Sequence, residues 1–294
     1  MVRKMKLPVG WYPRSAEEID GYLHSFAAER CGGAKAVIAP HAGWFFSGKI
    51  AGRALSSLRH DADLVVIAGG HLPPGHPVLF AEEDAACTPF GELPIDRELR
   101  ALVKDQFLRA GFSCGADNYT DNTVEVLLPA IHRFLPGASI LWLRLGADIR
   151  AVEAGALIYR AATAFGRRAV IAGSTDLTHY GPDYGFCPKG RGKTALDWVK
   201  TVNDRRFIEA VLSGDAAAVI KRAGSEHSAC SAGAVLCAMG FAAETRASVP
   251  VAPTGGENGP EAARLLDYTT SADVRDGYGD AADSFVGYAA IELA

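Results

Sequence analysis

Short, uninterrupted apolar runs alternate along the chain with stretches of helical periodicity. The apolar runs are Lys35–Pro40, Asp63–Ala68, Ser139–Leu143 and Arg168–Ala172. Both alternating positions of each run are apolar, as expected of strands buried on both faces of a parallel sheet. Helical patterns lie between them. Ser15-Ala16-Glu17-Glu18 predicts a capping box opening a helix that stops near Gly32-Gly33. Ser47 is expected to cap a second helix running to about His60, and Asp96 a third ending before Gly111. A fourth is expected from about Asn122 to Phe134, bent by Pro129, and a fifth from Ala151 to Phe165. Lys193 to about Gly240 reads as helical, with breaks at Gly214 and Gly224. Two strands, Leu265–Thr269 and Phe285–Ala290, are expected to extend or flank the same sheet, and Thr254–Pro260 reads as a loop. The pattern predicts an α/β fold with helices layered on a mostly parallel central sheet. No repeat or low-complexity linker interrupts it, so residues 1–294 are expected to form a single domain.

Composition narrows the class. Hydrophobic residues make up 49% and charged residues 22%, the balance of an ordinary globular protein. The net charge of -4 argues against non-specific nucleic-acid binding, which needs a basic surface. No apolar run reaches the ~18 residues of a membrane span. The basic start, Met1 to Lys6, is followed by no apolar segment of the kind a signal peptide carries, so a cytoplasmic location is expected. Six cysteines are scattered without a CxxC pair and are expected to be reduced thiols.

The chemistry concentrates at strand ends. Val37–Pro40 runs into His41, Val65–Ala68 into Gly69-Gly70-His71, and Val170–Ala172 into Gly173–Tyr180, which holds Asp176 and His179. Ligands of open α/β sheets bind outside the carboxyl ends of the strands. Three histidines and an aspartate are therefore expected to converge at one edge. Imidazoles with one anionic ligand suit first-row transition metals and leave positions open for water, O2 or substrate. A histidine kept off the metal would serve as acid or base, with Asp176 orienting His179. His24, His60, His76 and His132 read as surface or loop residues; His227, three residues before Cys230, is left open.

The same residues carry a resemblance to the Memo family, the Memo-like protein B of the AmmeMemoRadiSam set. The matching segments are Gly10–Pro13, Ala39–Trp44 with Ser47-Gly48, the strand ending in His71, Thr88–Asp96, Val124–Pro129, Ser174–Tyr180, Cys230–Val235 and Leu266–Val274. They span nearly the whole chain in order. The resemblance implies a three-layer αβα domain like that of class III extradiol dioxygenases, non-haem iron enzymes that open catechol rings. It maps His41, His71 and Cys230 onto the metal-ligand positions, and His179, with Asp176 beside it, onto a further active-site position. A thiolate at Cys230 is chemically reasonable, because a helix N-terminus and a metal both lower a thiol pKa. The chain departs from the pattern twice. Asn122 stands where family members commonly have a histidine, and Ser231 follows Cys230 where a glycine is usual.

The leading expectation is a non-haem oxidoreductase of dioxygenase type, using Fe(II), or else Cu or Zn, on a small-molecule substrate. Alternatives are a non-catalytic copper- or iron-binding redox or scaffold protein, and a metallohydrolase. The family name further implies radical-SAM and AMMECR-type pathway partners.

Overall fold

The computed structural model describes residues 1–28, 32–248, 263–275 and 283–293; Cys31 and the loop expected at 254–260 lie outside them. The elements are β1 (Val2–Arg3), α1 (Ala16–Ala28), β2 (Ala36–Ala39), α2 (Trp44–Ser56), β3 (Leu64–Leu72), β4 (Val78–Phe80), β5 (Ala85–Thr88), β6 (Gly91–Pro94) and α3 (Arg97–Arg109). They continue with β7 (Cys114–Ala116), α4 (Asn122–Glu125), α5 (Leu128–Phe134), β8 (Ser139–Gly146), α6 (Ala151–Ala164), β9 (Ala169–Ser174) and β10 (His179–Tyr180). Then come α7 (Lys193–Trp198), α8 (Asp204–Leu212), α9 (Ala216–Ser225), α10 (Ala232–Ala247), β11 (Arg264–Thr270), α11 (Ser271–Arg275) and β12 (Phe285–Leu293).

Among the described residues, nine strands form the main sheet in the order β10-β12-β2-β9-β3-β8-β4-β7, with β11 also paired to β12. The four apolar runs are its centre, β2-β9-β3-β8, all parallel. The flanks are largely antiparallel: β12 runs against β2, β10 and β11, and β4 against β8. Alternate residues of each central strand enter opposite cores. Ala36, Ile38, Leu64, Val66 and Ala68 pack with α3, α6, α8, α9 and α10 on one face. Val37, Ala39, Val65, Ile67, Val170 and Ala172 pack with α1, α2 and α5 on the other. This gives the expected three αβα layers.

Close approach fixes the helical layer under α10. A side chain at Gly240 would strike the Val152 carbonyl, and one at Gly155 the Cys237 carbonyl. Here α6 and α10 touch backbone to backbone, which only glycine allows.

Three local expectations are corrected. Ser47 does not cap α2. The helix begins three residues earlier, where the Trp11 carbonyl takes the Trp44 amide at 2.7 Å, and Ser47 Oγ donates to the Ala42 carbonyl. An outside segment thus does the work expected of a cap. The Asn122–Phe134 helix is two short ones; Pro129 lies in the first turn of α5, where a missing N–H costs least, so the break precedes it. Gly224 lies inside α9, and the second break is the segment 226–231. The capping residues Ser15 and Asp96 do accept the predicted amides, from Glu18 and Leu99.

Candidate metal centre

Strand order creates the site. His41 follows β2 and His71 lies near the end of β3, with β9 between them. Strands two positions apart in a sheet are separated by about 9.5 Å. Imidazoles leaning inward over the end of β9 can therefore meet. Their ring centroids are 4.9 Å apart, edge to face. His41 is buried, and the His71 side chain is 33% exposed, so the pair is open on one side. His71 has φ 60°, in the left-handed region that a side chain on Cβ disfavours. Preceding Gly70 leaves room for Ser231, which a Cβ there would strike.

Cys230 arrives from the other side of the sheet end. It lies just before α10, whose N-terminal position is Ser231. Its amide donates to the Asp176 carbonyl at 3.2 Å, and the Ser231 amide to Thr175 Oγ1 at 3.1 Å. Its Sγ is 3.3 Å from His41 Nε2. One ligand atom each from His41, His71 and Cys230 lies within 4.8 Å of the others, the spacing of groups that can share one ion.

The far nitrogens of both imidazoles are engaged. His41 Nδ1 is 2.9 Å from Ser174 Oγ, and His71 Nδ1 is 3.1 Å from Asp121 Oδ2. This leaves each Nε2 unclaimed by these partners, and His41 Nε2 faces the thiol. Asp121 in turn accepts from Arg144 at 3.0 Å and from the Thr123 amide at 2.8 Å. Arg144 also bonds the Gly70 carbonyl and Asp117, which accepts from Trp142 Nε1. Metal-binding histidines are commonly fixed by such outer partners.

The charges are mutually supporting. Burial opposes ionisation of Cys230, but His41 and His71 hold its thiol well below the ordinary range. Burial likewise opposes protonation of His71, but Asp121 and Cys230 raise it to about 10. Asp121 is held well below the carboxylate range by His71, Thr123 and Arg144 despite its burial. Burial raises Asp176.

The two residues expected to act on substrate are placed differently. Asp176 Oδ1 accepts the His41 amide at 2.7 Å, fixing the turn after β2. His179 Nδ1 is 3.1 Å from the Leu177 carbonyl, its partner in place of Asp176. The pairing of β10 with β12 directs the His179 ring instead, and Tyr184 lies edge-on to it at 5.0 Å. Asp176 and His179 still share one space, a cavity of ≈ 570 Å³ next to the cluster, which Asn122 also lines. Asn122 Nδ2 donates to the His41 carbonyl at 2.9 Å. It braces the turn, a role that needs an amide and no titration.

Sequence reasoning missed Arg144 and the orienting role of Asp121; an Arg inside an apolar strand, Leu141–Leu145, was the available signal. Glu125, expected with Asp121 to line the pocket, is absent from the cavity wall and holds the N-terminal strap instead. That buried carboxylate accepts from the Lys6 and Leu7 amides and from Tyr12 Oη, each within 3.0 Å. It pins the strap 6–12, whose residues Pro8–Trp11 form one cavity wall. The remaining histidines lie apart: His24, His60 and His227 are exposed, His76 bonds the Pro77 carbonyl, and His132 lies 2.7 Å from Thr88 Oγ1. Among the described residues, no helix is long and apolar enough to cross a membrane.

Comparison with known proteins agrees with the architecture. A profile of the Memo-like protein family matches residues 3–292. A MEMO1 family protein of Pyrococcus abyssi is 30% identical over 267 residues, covering 87% of this chain and 85% of its own. One from Methanosarcina acetivorans is 32% identical over 259 residues, covering 86% and 84%. One from Pyrococcus furiosus is 28% identical over 308 aligned residues, covering 100% and 99%.

Proposed function

Because the chain belongs to the Memo-like family and gathers two imidazoles and a thiol at its sheet edge, we propose that it is a metal-dependent oxidoreductase of dioxygenase type. His41, His71 and Cys230 would hold Fe(II), and the substrate is a small phenolic or otherwise chelating molecule. The observation that carries the reading is the donor set itself. Both Nδ1 atoms are engaged, His41 Nε2 faces the thiol, His71 completes the cluster, and an open cavity adjoins them. Bound there, Fe(II) would supply a redox-active Lewis acid with open positions for O2 and substrate.

The chain's own residues supply the rest. His179 carries its proton on Nδ1, toward the Leu177 carbonyl, and so offers Nε2 to take a proton from a hydroxyl in the cavity. Asp176 holds the turn that presents His41. The strap at Trp11 and the aromatic wall at Tyr288 exclude water from one side. The same reading treats residues 1–294 as one Memo-like domain, since β2 is flanked by β9 and β12.

The thiol supports a second reading. A soft, oxidisable ligand favours Cu(I) as well as iron, which suits a copper- or iron-binding protein without turnover. Anaerobic loading with Fe(II), Cu(I) or Zn(II), followed by metal analysis beside Cys230→Ser, tests both. Retention of one equivalent by the parent and its loss in the variant is expected. O2 uptake with a catechol panel then favours the oxidoreductase, and tight retention without uptake favours the second reading. Equal metal content in parent and variant would sink the ligand assignment.

A further inference from the structure

We infer that the cavity beside the ligand cluster takes a cationic, amine-bearing aromatic molecule in preference to an anionic one. The inference takes from the proposed function only where the substrate sits. The cavity, ≈ 570 Å³, is of the size that holds one ring with a short tail. Its walls include the rings of Trp11, Phe46, Tyr184 and Tyr288. Such faces attract a ring by stacking and a cation by their quadrupoles.

The charged groups point the same way. Among the described lining residues are two carboxyls, Asp176 and Asp183, and no lysine or arginine. Asp176 lies at the inner end, bonded to the His41 amide. Asp183 lies at the exposed mouth, where its amide donates to Ser284 Oγ. Among the described residues no cationic side chain pairs with the Asp183 carboxylate. A carboxylated or phosphorylated ring would therefore enter a space offering no guanidinium or ammonium, against a free carboxylate. A protonated amine on a short tail finds Asp183 at the mouth while its ring lies between the aromatic walls.

Calorimetric titration without O2 tests this with three catechols alike in ring and different in charge: dopamine, 4-methylcatechol and 3,4-dihydroxyphenylacetate. Each is titrated into metal-free and Fe(II)-loaded protein. Dopamine is expected to bind at least about tenfold more tightly than the carboxylate, with a gap that narrows as salt rises. Asp183→Asn should bring dopamine level with 4-methylcatechol and leave the neutral compound's affinity unchanged. Equal or tighter binding of the carboxylate overturns the inference. So does a dopamine advantage that survives Asp183→Asn, or binding of none of the three. The order is also read without metal, so failure to retain iron or to consume O2 would count against the oxidoreductase alone.

Discussion

At the scale of single residues, the least expected feature is the chain of charges behind His71. Its φ of 60° is a conformation costing roughly 1 kcal/mol or more for a residue with a Cβ. It is held from both sides: Asp121 takes the ring, and Arg144 takes the Gly70 carbonyl and Asp121 together. Arg144→Met is therefore expected to weaken Zn(II) or Fe(II) binding by about 10- to 100-fold, with the fold retained. Competition against a chromophoric chelator measures this, and unchanged affinity would remove Arg144 from the site. The three strand-end histidines were legible in the sequence because apolar runs mark where strands stop. Their partners were not. A carboxylate's proximity in sequence suggested Asp176 for His179, but the turn after β9 spends that carboxyl on the His41 amide. Asp121 reads as lining the pocket, but lying fifty residues from His71 it had no pattern to announce that pairing.

Elements show a further buried acid. Asp204 opens α8 and accepts from the Thr178 amide at 3.1 Å, from Thr178 Oγ1, and from Tyr268 Oη at 2.7 Å. It thereby ties α8 to the turn between β9 and β10 and to β11. Burial, outweighing these donors, raises its pKa to about 7. The folded chain thus keeps a proton that the unfolded chain releases near pH 4. Its contribution to stability is full below that pH, falls as pH rises, and is gone above about 7. Three pK units correspond to at most about 4 kcal/mol. Urea denaturation between pH 4 and 8 should show Asp204→Asn losing less stability than the parent over this window; parallel curves would contradict the assignment. Element identity was largely readable, since strand and helix periods differ. Boundaries failed where another segment intervened, as Trp11 does at α2 and Pro129 at α5.

For the whole molecule, strand polarity was only half legible. Apolar runs with helices between them imply parallel neighbours, and β2, β9, β3 and β8 obey. The antiparallel flank depends on how the chain returns after α10, which no local pattern records. That flank is integral to the sheet. Ile291 in β12 is fully buried opposite Ile38 and Leu265. Ile291→Ala is expected to cost roughly 2–5 kcal/mol. If residues 1–294 form one domain, guanidinium unfolding should shift to lower midpoint as a single transition with unchanged slope. A second, unshifted transition would mean separate units.

The place of β12 beside β2 also sets a timetable for biosynthesis. His41, His71 and Cys230 all precede β12 in the sequence. The proposed ligands are therefore synthesised while one edge of β2 is still bare. Until β12 arrives, that edge offers unpaired amides and carbonyls to any passing strand. A metal captured early would join β2, β3 and the start of α10 before the sheet is closed. The nascent protein thus stays vulnerable until β12 is free to pair with β2, and a chain ending before residue 285 should yield aggregates rather than a soluble intermediate.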